Sequence, residues 1–236
     1  MARRTVFLGF SCNNRCIVCA QGDLRASAPL ASIEEASRTI DAAEPGDVLC
    51  FVGGEPTLVG ELPDLLRRAA DRPSVSALLQ TNGRRLAYPA YADVLAQASR
   101  QLSLDVSLFG SSAAMHDYHT SSPGSFAQTA RGIQNARARG MPVGVSVVVT
   151  RSNFRHLVEV VRLVRALGAD ALRLAHLEPL GSARASLLRI SPNEELARPV
   201  LEAAATEGRR LGVQVTVGEP GEPGPRGRFA GLGPTA

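Results

Sequence analysis

Short apolar runs rich in β-branched residues alternate along the chain with stretches whose apolar positions recur every three to four residues. The alternation repeats every ~25 to 40 residues, as consecutive βα units require. Strands are expected at Thr5–Phe10, Asp47–Val52, Val75–Gln80, Leu102–Leu108, Val143–Thr150 and Ala171–Leu177, with one more at Val213–Val217. Helical spacing fits Ser32–Ala43, Glu61–Ala70, Tyr88–Ser99, Ser125–Arg139, Phe154–Leu167 and Pro192–Leu211. Punctuation agrees with this division. Ser32 and Glu35 form a capping box, Gly53-Gly54, Asn82-Gly83 and Gly110 stop strands, and Pro192 and Gly212 bracket the last helix. The strands are apolar almost throughout, which implies burial on both faces and a parallel sheet covered by helices. The expected fold class is α/β.

From Gly218 the sequence becomes GEPGEPGPRGRFAGLGPTA, too dense in proline and glycine to pack a core. It reads as a disordered tail (218–236) behind one core domain (1–217). No other repeat is present beyond the βα period.

Composition removes several chemistries. The net charge is +4, and every one of the 26 basic residues is arginine. Without lysine there is no Schiff-base chemistry, no pyridoxal phosphate linkage and no phosphate-loop lysine. The arginines are scattered on helix faces, tryptophan is absent and aromatics are 4%, so no nucleic-acid platform is expected. The apolar stretch after Met1-Ala2-Arg3-Arg4 is too short for a secretion signal, and nothing approaches the ~18 apolar residues that would span a bilayer. No membrane partner is expected, and a reducing cytoplasm is the expected location.

The four cysteines do not suit a disulfide framework, because three of them, Cys12, Cys16 and Cys19, fall within eight residues. Three thiolates spaced C-x-x-x-C-x-x-C in the loop after the first strand can converge on one metal centre. Structural zinc and electron-transfer clusters ordinarily take four protein ligands, so three leave one metal position open, as catalytic sites do. A zinc loop completed by Cys50 or a histidine is the alternative at this point. Cys50 lies in Val48-Leu49-Cys50-Phe51-Val52, where a buried apolar thiol is the ordinary reading.

Two further motifs stand at the next strand ends: Gly53-Gly54-Glu55-Pro56-Thr57 after the second and Thr81-Asn82-Gly83 after the third. With the cysteine loop they resemble the radical SAM superfamily, in the group that includes the molybdenum-cofactor enzyme MoaA and the peptide-modifying maturases. The resemblance runs from about Thr5 to Gly181 and includes Pro123-Gly124-Ser125-Phe126 through Val149-Thr150-Arg151-Ser152-Asn153. It implies a partial (β/α)6 TIM-type barrel with a [4Fe–4S] cluster on Cys12, Cys16 and Cys19, whose open iron chelates S-adenosylmethionine (SAM). It implies reductive cleavage of SAM and hydrogen-atom abstraction from a small-molecule or peptide substrate, with an external one-electron reductant of flavodoxin or ferredoxin type. A non-enzymatic iron–sulfur or zinc module for electron transfer or scaffolding is the runner-up. Two departures stand out: family members often carry an aromatic residue where this chain has Val18, and no cysteine follows Cys50, so an auxiliary cluster of this type has no ligands.

For the SAM pocket the resemblance points to Val18 beside the third cysteine, Gly53, Gly54 and Glu55 near the amino group, Asn82 with Thr81, and Ser107 near the ribose. His176 and Glu178, after the sixth strand, are further candidates near the adenine. His116-Asp117-Tyr118-His119 is expected as a solvated, substrate-facing loop rather than a metal site, and Arg15 either tunes the cluster or faces solvent. No catalytic residue is assigned.

Overall fold

A computed structural model describes residues 2–22 and 32–218. Its strands are β1 (Arg3–Phe7), β2 (Val48–Val52), β3 (Ser76–Thr81), β4 (Leu102–Ser107), β5 (Val143–Val148), β6 (Ala171–Ala175) and β7 (Gln214–Val217). Between them run the α-helices α1 (Ile33–Asp41), α2 (Leu62–Ala70), α3 (Pro89–Ala98), α4 (Ala113–Thr120), α5 (Ser125–Arg137), α6 (Leu157–Ala166), α7 (Leu187–Ile190) and α8 (Glu194–Leu211). The strands lie side by side in chain order, every pair parallel. Right-handed crossovers in that order put all the covering helices on one face, and the sheet bends around the other. This is a barrel wall that does not close, of seven described strands rather than six. The sequence read as a tail lies, from residue 219 onward, outside the described residues.

Alternation along each strand separates the two faces. Val6, Leu49, Phe51, Leu79, Leu104, Val106, Val145, Val147, Leu172 and Leu174 point outward into a core shared with Ile40, Leu66, Leu95, Ile133 and Val160 of the helices. Each such side chain, fully buried, stabilises the fold by about 1.5–3 kcal/mol. The inner face is different. Val48, Cys50 and Leu78 form a small apolar floor, and beyond them stand Gln80, Asp105, Ser107, Ser146 and Arg173.

The strand boundaries have local causes. Expected from Thr5, β1 begins at Arg3, because Arg4 Nε bonds Asp47 Oδ2 at 2.6 Å and so extends the pairing to β2; it stops before Gly9, whose φ is 82°. Expected to reach Thr150, β5 stops at Val148, because the Asn153 side chain captures the Thr150 N–H at 2.7 Å. Ser32 caps α1 by accepting from the Glu35 N–H at 3.2 Å, and Gly212 ends α8 with a left-handed φ of 69°.

The expected solvated loop at His116–His119 is helix α4, and both histidines are buried. The Ser112 hydroxyl caps it by accepting from Met115 N at 3.4 Å. Phe109 N–H donates to His116 Nδ1 at 3.3 Å, and His119 Nε2 stands 2.9 Å from both Thr150 Oγ1 and Ser152 Oγ. The two rings therefore pin α4 to the ends of β4 and β5 instead of facing solvent.

Candidate active site at the strand ends

The residues from Leu8 to Gly22 form a loop held at the C-terminal edge of the sheet by partners from four sides. Against the β2 end, Gly54 N–H donates to Gly9 O at 2.8 Å and Glu55 N–H to Ser11 O at 2.7 Å. Against the last turn of α4, Arg15 N–H and Ile17 N–H donate to the carbonyls of Thr120 and His119, each at 2.9 Å. Ser182 N–H, after β6, donates to Cys19 O at 2.9 Å. The fourth support is the turn after β3. There Asn82 Nδ2 donates to Asn13 Oδ1 at 2.7 Å, Arg84 Nη1 to the Asn13 carbonyl, and Arg84 Nη1 to Asn14 Oδ1 at 2.7 Å. Gln128 of α5 accepts from Arg84 Nε at 2.6 Å and fixes the guanidinium.

Glycine at position 54 is a steric requirement. A Cβ there would stand 2.3 Å from the carbonyl oxygens of both Phe10 and Ser11, and one at Gly53 would stand 2.7 Å from Gly9 O. The bare backbone lets the β2 end lie flush against the cysteine loop.

Glu55 is 2% exposed, and its carboxylate is spent on its own chain. Oε1 accepts from Thr57 N–H at 3.1 Å, Thr57 Oγ1 at 2.6 Å and Thr81 Oγ1 at 2.6 Å; Oε2 accepts from Asn82 N–H at 2.6 Å. Burial pushes its pKa up against these four donors. The side chain ties the second strand end to the third, and what faces the cysteine loop here is backbone.

The three loop cysteines are each partly exposed. Asn14 N–H and Asn82 Nδ2 point at Cys12 Sγ from 3.4 and 4.0 Å. Among the described residues, no three His, Cys, Asp or Glu side chains stand as a ready-made chelate for one ion. A tetrahedral zinc, with Zn–S of about 2.3 Å, needs its sulfurs crowded around a single centre. A cubane takes one thiolate per iron, so three cysteines would leave its fourth iron without a protein ligand. Cys50 is buried on the inner floor between Val48 and Leu78, where burial pushes its thiol pKa up, as suits an inert neutral thiol.

The other expected pocket residues sit around the same rim. Val18 is half-buried in the loop, Asn82 is buried behind Cys12, and Ser107 is half-buried at the end of β4, paired in register with Ser146. His176 and Glu178 are half-buried just past β6, and the Arg15 side chain is exposed. Sequence reasoning missed the supporting residues Asn13, Arg84 and Gln128. It also missed the inner-face set of Gln80, Asp105, Ser146 and Arg173. Strict alternation in Leu102-Ser103-Leu104-Asp105-Val106-Ser107 carried that signal: a carboxylate at the face opposite the helix-packed leucines.

Comparison with known proteins agrees with this geometry. Residues 6–164 match the profile of the radical SAM superfamily. The chain is 31% identical over 176 residues to an AdoMet-dependent heme synthase of Nitratidesulfovibrio vulgaris, covering 73% of this chain and 47% of that protein. It is 29% identical over 207 residues to the mycofactocin maturase MftC of Mycobacterium tuberculosis, covering 86% and 52%. The chain thus spans about half the length of the relatives it matches. Among solved structures, Streptococcus suis SuiB bound to its precursor peptide SuiA superposes with a TM-score of 0.74 at 15% identity, covering 92% of this chain and 48% of SuiB. The order of motifs, the open parallel wall and the profile match agree: this chain belongs to the radical SAM superfamily.

Proposed function

We propose that the chain is the catalytic core of a radical SAM enzyme, with a [4Fe–4S] cluster on Cys12, Cys16 and Cys19. The observation that carries this reading is the cysteine loop itself, clamped at the strand C-terminal ends against a glycine turn that admits no side chain. When bound, the cluster and SAM supply one-electron cleavage of the sulfonium and a 5′-deoxyadenosyl radical for hydrogen-atom abstraction.

The chain's own residues have definable tasks in this reading. Gly53 and Gly54 offer backbone to the SAM amino group, and Glu55 holds that backbone in place. Asn82 steadies the loop at Asn13 and directs an amide N–H toward Cys12. Val18, Ser107, His176 and Glu178 line the rim where the nucleoside half of SAM would rest. The apolar patch of Val48, Cys50 and Leu78, below the β2 and β3 ends, keeps water from that side of the reacting atoms. The substrate is a small molecule or a peptide, and the electron comes from an external flavodoxin- or ferredoxin-type donor in a reducing compartment. Relatives bearing the names heme synthase and maturase support both substrate classes.

The test is anaerobic reconstitution with iron and sulfide, reduction by dithionite and incubation with SAM. Release of 5′-deoxyadenosine is expected, with loss of iron in Cys12→Ala, Cys16→Ala and Cys19→Ala and retention in Cys50→Ala. A cluster-loaded protein that leaves SAM intact, or one that loses its iron with Cys50, overturns the reading.

A further inference from the structure

The side of the cysteine loop that meets the helix layer carries charge that the SAM pocket does not use. Arg15 stands between Cys12 and Cys16 with its side chain exposed, while its backbone N–H donates to the Thr120 carbonyl of α4 at 2.9 Å. Arg84 reaches the same segment from the turn after β3, donating to Asn14 Oδ1 at 2.7 Å and to Gln128 Oε1 at 2.6 Å. Arg131 joins this group by helical spacing. It lies three residues after Gln128 and four before Asn135, whose Nδ2 donates to the Leu86 and Ala87 carbonyls at 2.9 and 3.0 Å. Gln128 and Asn135 both face the β3 turn, so Arg131 shares their side of α5, and it is exposed. Acidic residues are scarce here. Segments 9–22, 81–92 and 113–136 hold one carboxylate, Asp117, against Arg15, Arg84, Arg85 and Arg131. Asp117 is committed to the start of α5, accepting from Gly124 N–H at 2.7 Å and from Ser125 Oγ and Phe126 N–H, each at 2.8 Å. Arg85 is turned to the Thr57 carbonyl and the Tyr91 ring. Tyr118, 59% exposed, precedes His119, whose carbonyl accepts the Ile17 N–H of the loop.

We propose that Arg15, Arg84 and Arg131, with Tyr118 beside them, form the docking face for an acidic one-electron carrier protein. Charge names the partner: carboxylates around the exposed redox group of a carrier meet the guanidiniums, and a half-buried aromatic anchor suits such a contact. Position names the role. The face borders the Cys12–Cys16 segment in the layer of α4 and α5, whereas Ser107, His176 and Glu178 lie at the strand ends. A carrier seated on it approaches the thiols without crossing the proposed SAM pocket. Asn14 N–H, 3.4 Å from Cys12 Sγ, then lies between the arginines and the first thiol. One electron leaves the reduced carrier and enters the cluster, so the carrier is oxidised by one electron and the cluster reduced by one. The inference rests on the proposed function for the cluster that takes this electron.

The test uses the reconstituted, oxygen-free protein and a purified acidic flavodoxin. Calorimetry measures binding of oxidised flavodoxin, and stopped-flow absorbance measures cluster reduction by its fully reduced form. Raising the salt from ~0.05 to ~0.5 M should weaken binding and slow reduction by about tenfold. Arg15→Glu and Arg131→Glu should each do the same at low salt. Arg165→Glu, an equal change of charge at an exposed position on α6, should leave both unchanged. Reduction by the methyl viologen radical cation, which needs no docking, should not slow in any variant. Salt-independent binding, unchanged affinity in both charge reversals or an equal loss in Arg165→Glu overturns the face. So does slower reduction by viologen in the charge reversals, which marks a damaged cluster site. Loss of binding to a polyglutamate peptide with flavodoxin binding intact also overturns it, in favour of an acidic peptide substrate. A protein whose cluster is reduced as expected but never releases 5′-deoxyadenosine from SAM keeps the docking face and loses the proposed function.

Discussion

Glu55 Oε2 accepts the backbone N–H of Asn82 at 2.6 Å, which joins the turn after β2 to the turn after β3 through one buried carboxylate. All four donors around Glu55 point at an acceptor. In Glu55→Gln the new amide must turn an N–H toward at least one of them. The expected cost is about 3 kcal/mol, from an unsatisfied buried donor and a lost charge-assisted bond. Denaturant midpoints at constant slope measure it, and Glu55→Asp should not rescue, because the shorter side chain cannot span both turns.

Gly54→Ala puts a methyl group against the carbonyls of Phe10 and Ser11. Backbone lies on both sides, so neither neighbour can swing away, and the loop must be displaced. The expected outcome is a loss of about 3 kcal/mol, at the upper end of overpacking costs, together with poor iron retention on reconstitution. Metal analysis beside a thermal melt separates the two effects.

Arg84 braces the segment between Cys12 and Cys16 through Asn13 and Asn14. Arg84→Gln should cost about 2 kcal/mol in bonds and also remove a positive charge from beside the proposed cluster. Redox titration followed by electron paramagnetic resonance should show a more negative midpoint potential, since a nearby cation favours the reduced, more anionic form. Arg84→Lys should recover the potential more fully than the stability, because a single ammonium cannot reproduce the forked contacts.

How much of this was visible in the sequence differs by layer. The βα order was legible because outward-facing leucines and valines recur strand after strand, and the cysteine and glycine motifs because their chemistry demands those residue types. Helix α4 was not legible. His116 and His119 look like surface residues until the rings find Phe109 N–H, Thr150 and Ser152, partners distant in sequence. Arg84 was hidden for the same reason: its role exists only once the β3 turn and the cysteine loop meet in space. Glu55 was singled out as a motif residue near the SAM amino group, but its burial and its partners, Thr81 and Asn82 on another strand end, could be read only from the fold.

Two buried groups pull the pH dependence of stability in opposite directions. Burial raises Asp105 from 3.8 to about 6, against the Ser146 hydroxyl, Arg173 and Gln80. The unfolded chain therefore loses its proton first, and stability falls as pH rises from about 4 to 6, by up to about 3 kcal/mol. Burial lowers His116 from 6.5 to about 4, so the unfolded chain gains its proton first, and stability falls as pH drops from 6.5 towards 4. Relative to wild type, Asp105→Asn should gain stability between pH 4 and 7, while His116→Gln should gain it only on the acid side. Urea titrations at each pH unit measure both differences.

The wall that ends at β1 on one side and β7 on the other has no ladder joining those two edges among the described residues. A closed barrel has its girth dictated by strand number and stagger. Here no ladder fixes the distance between the margins; among the described residues the loop after β1 spans it instead, where Cys19 O accepts the Ser182 N–H beyond β6 at 2.9 Å. The width of the opening is therefore set by the same loop that carries the cysteines, so the proposed metal-binding segment doubles as a girder across the gap.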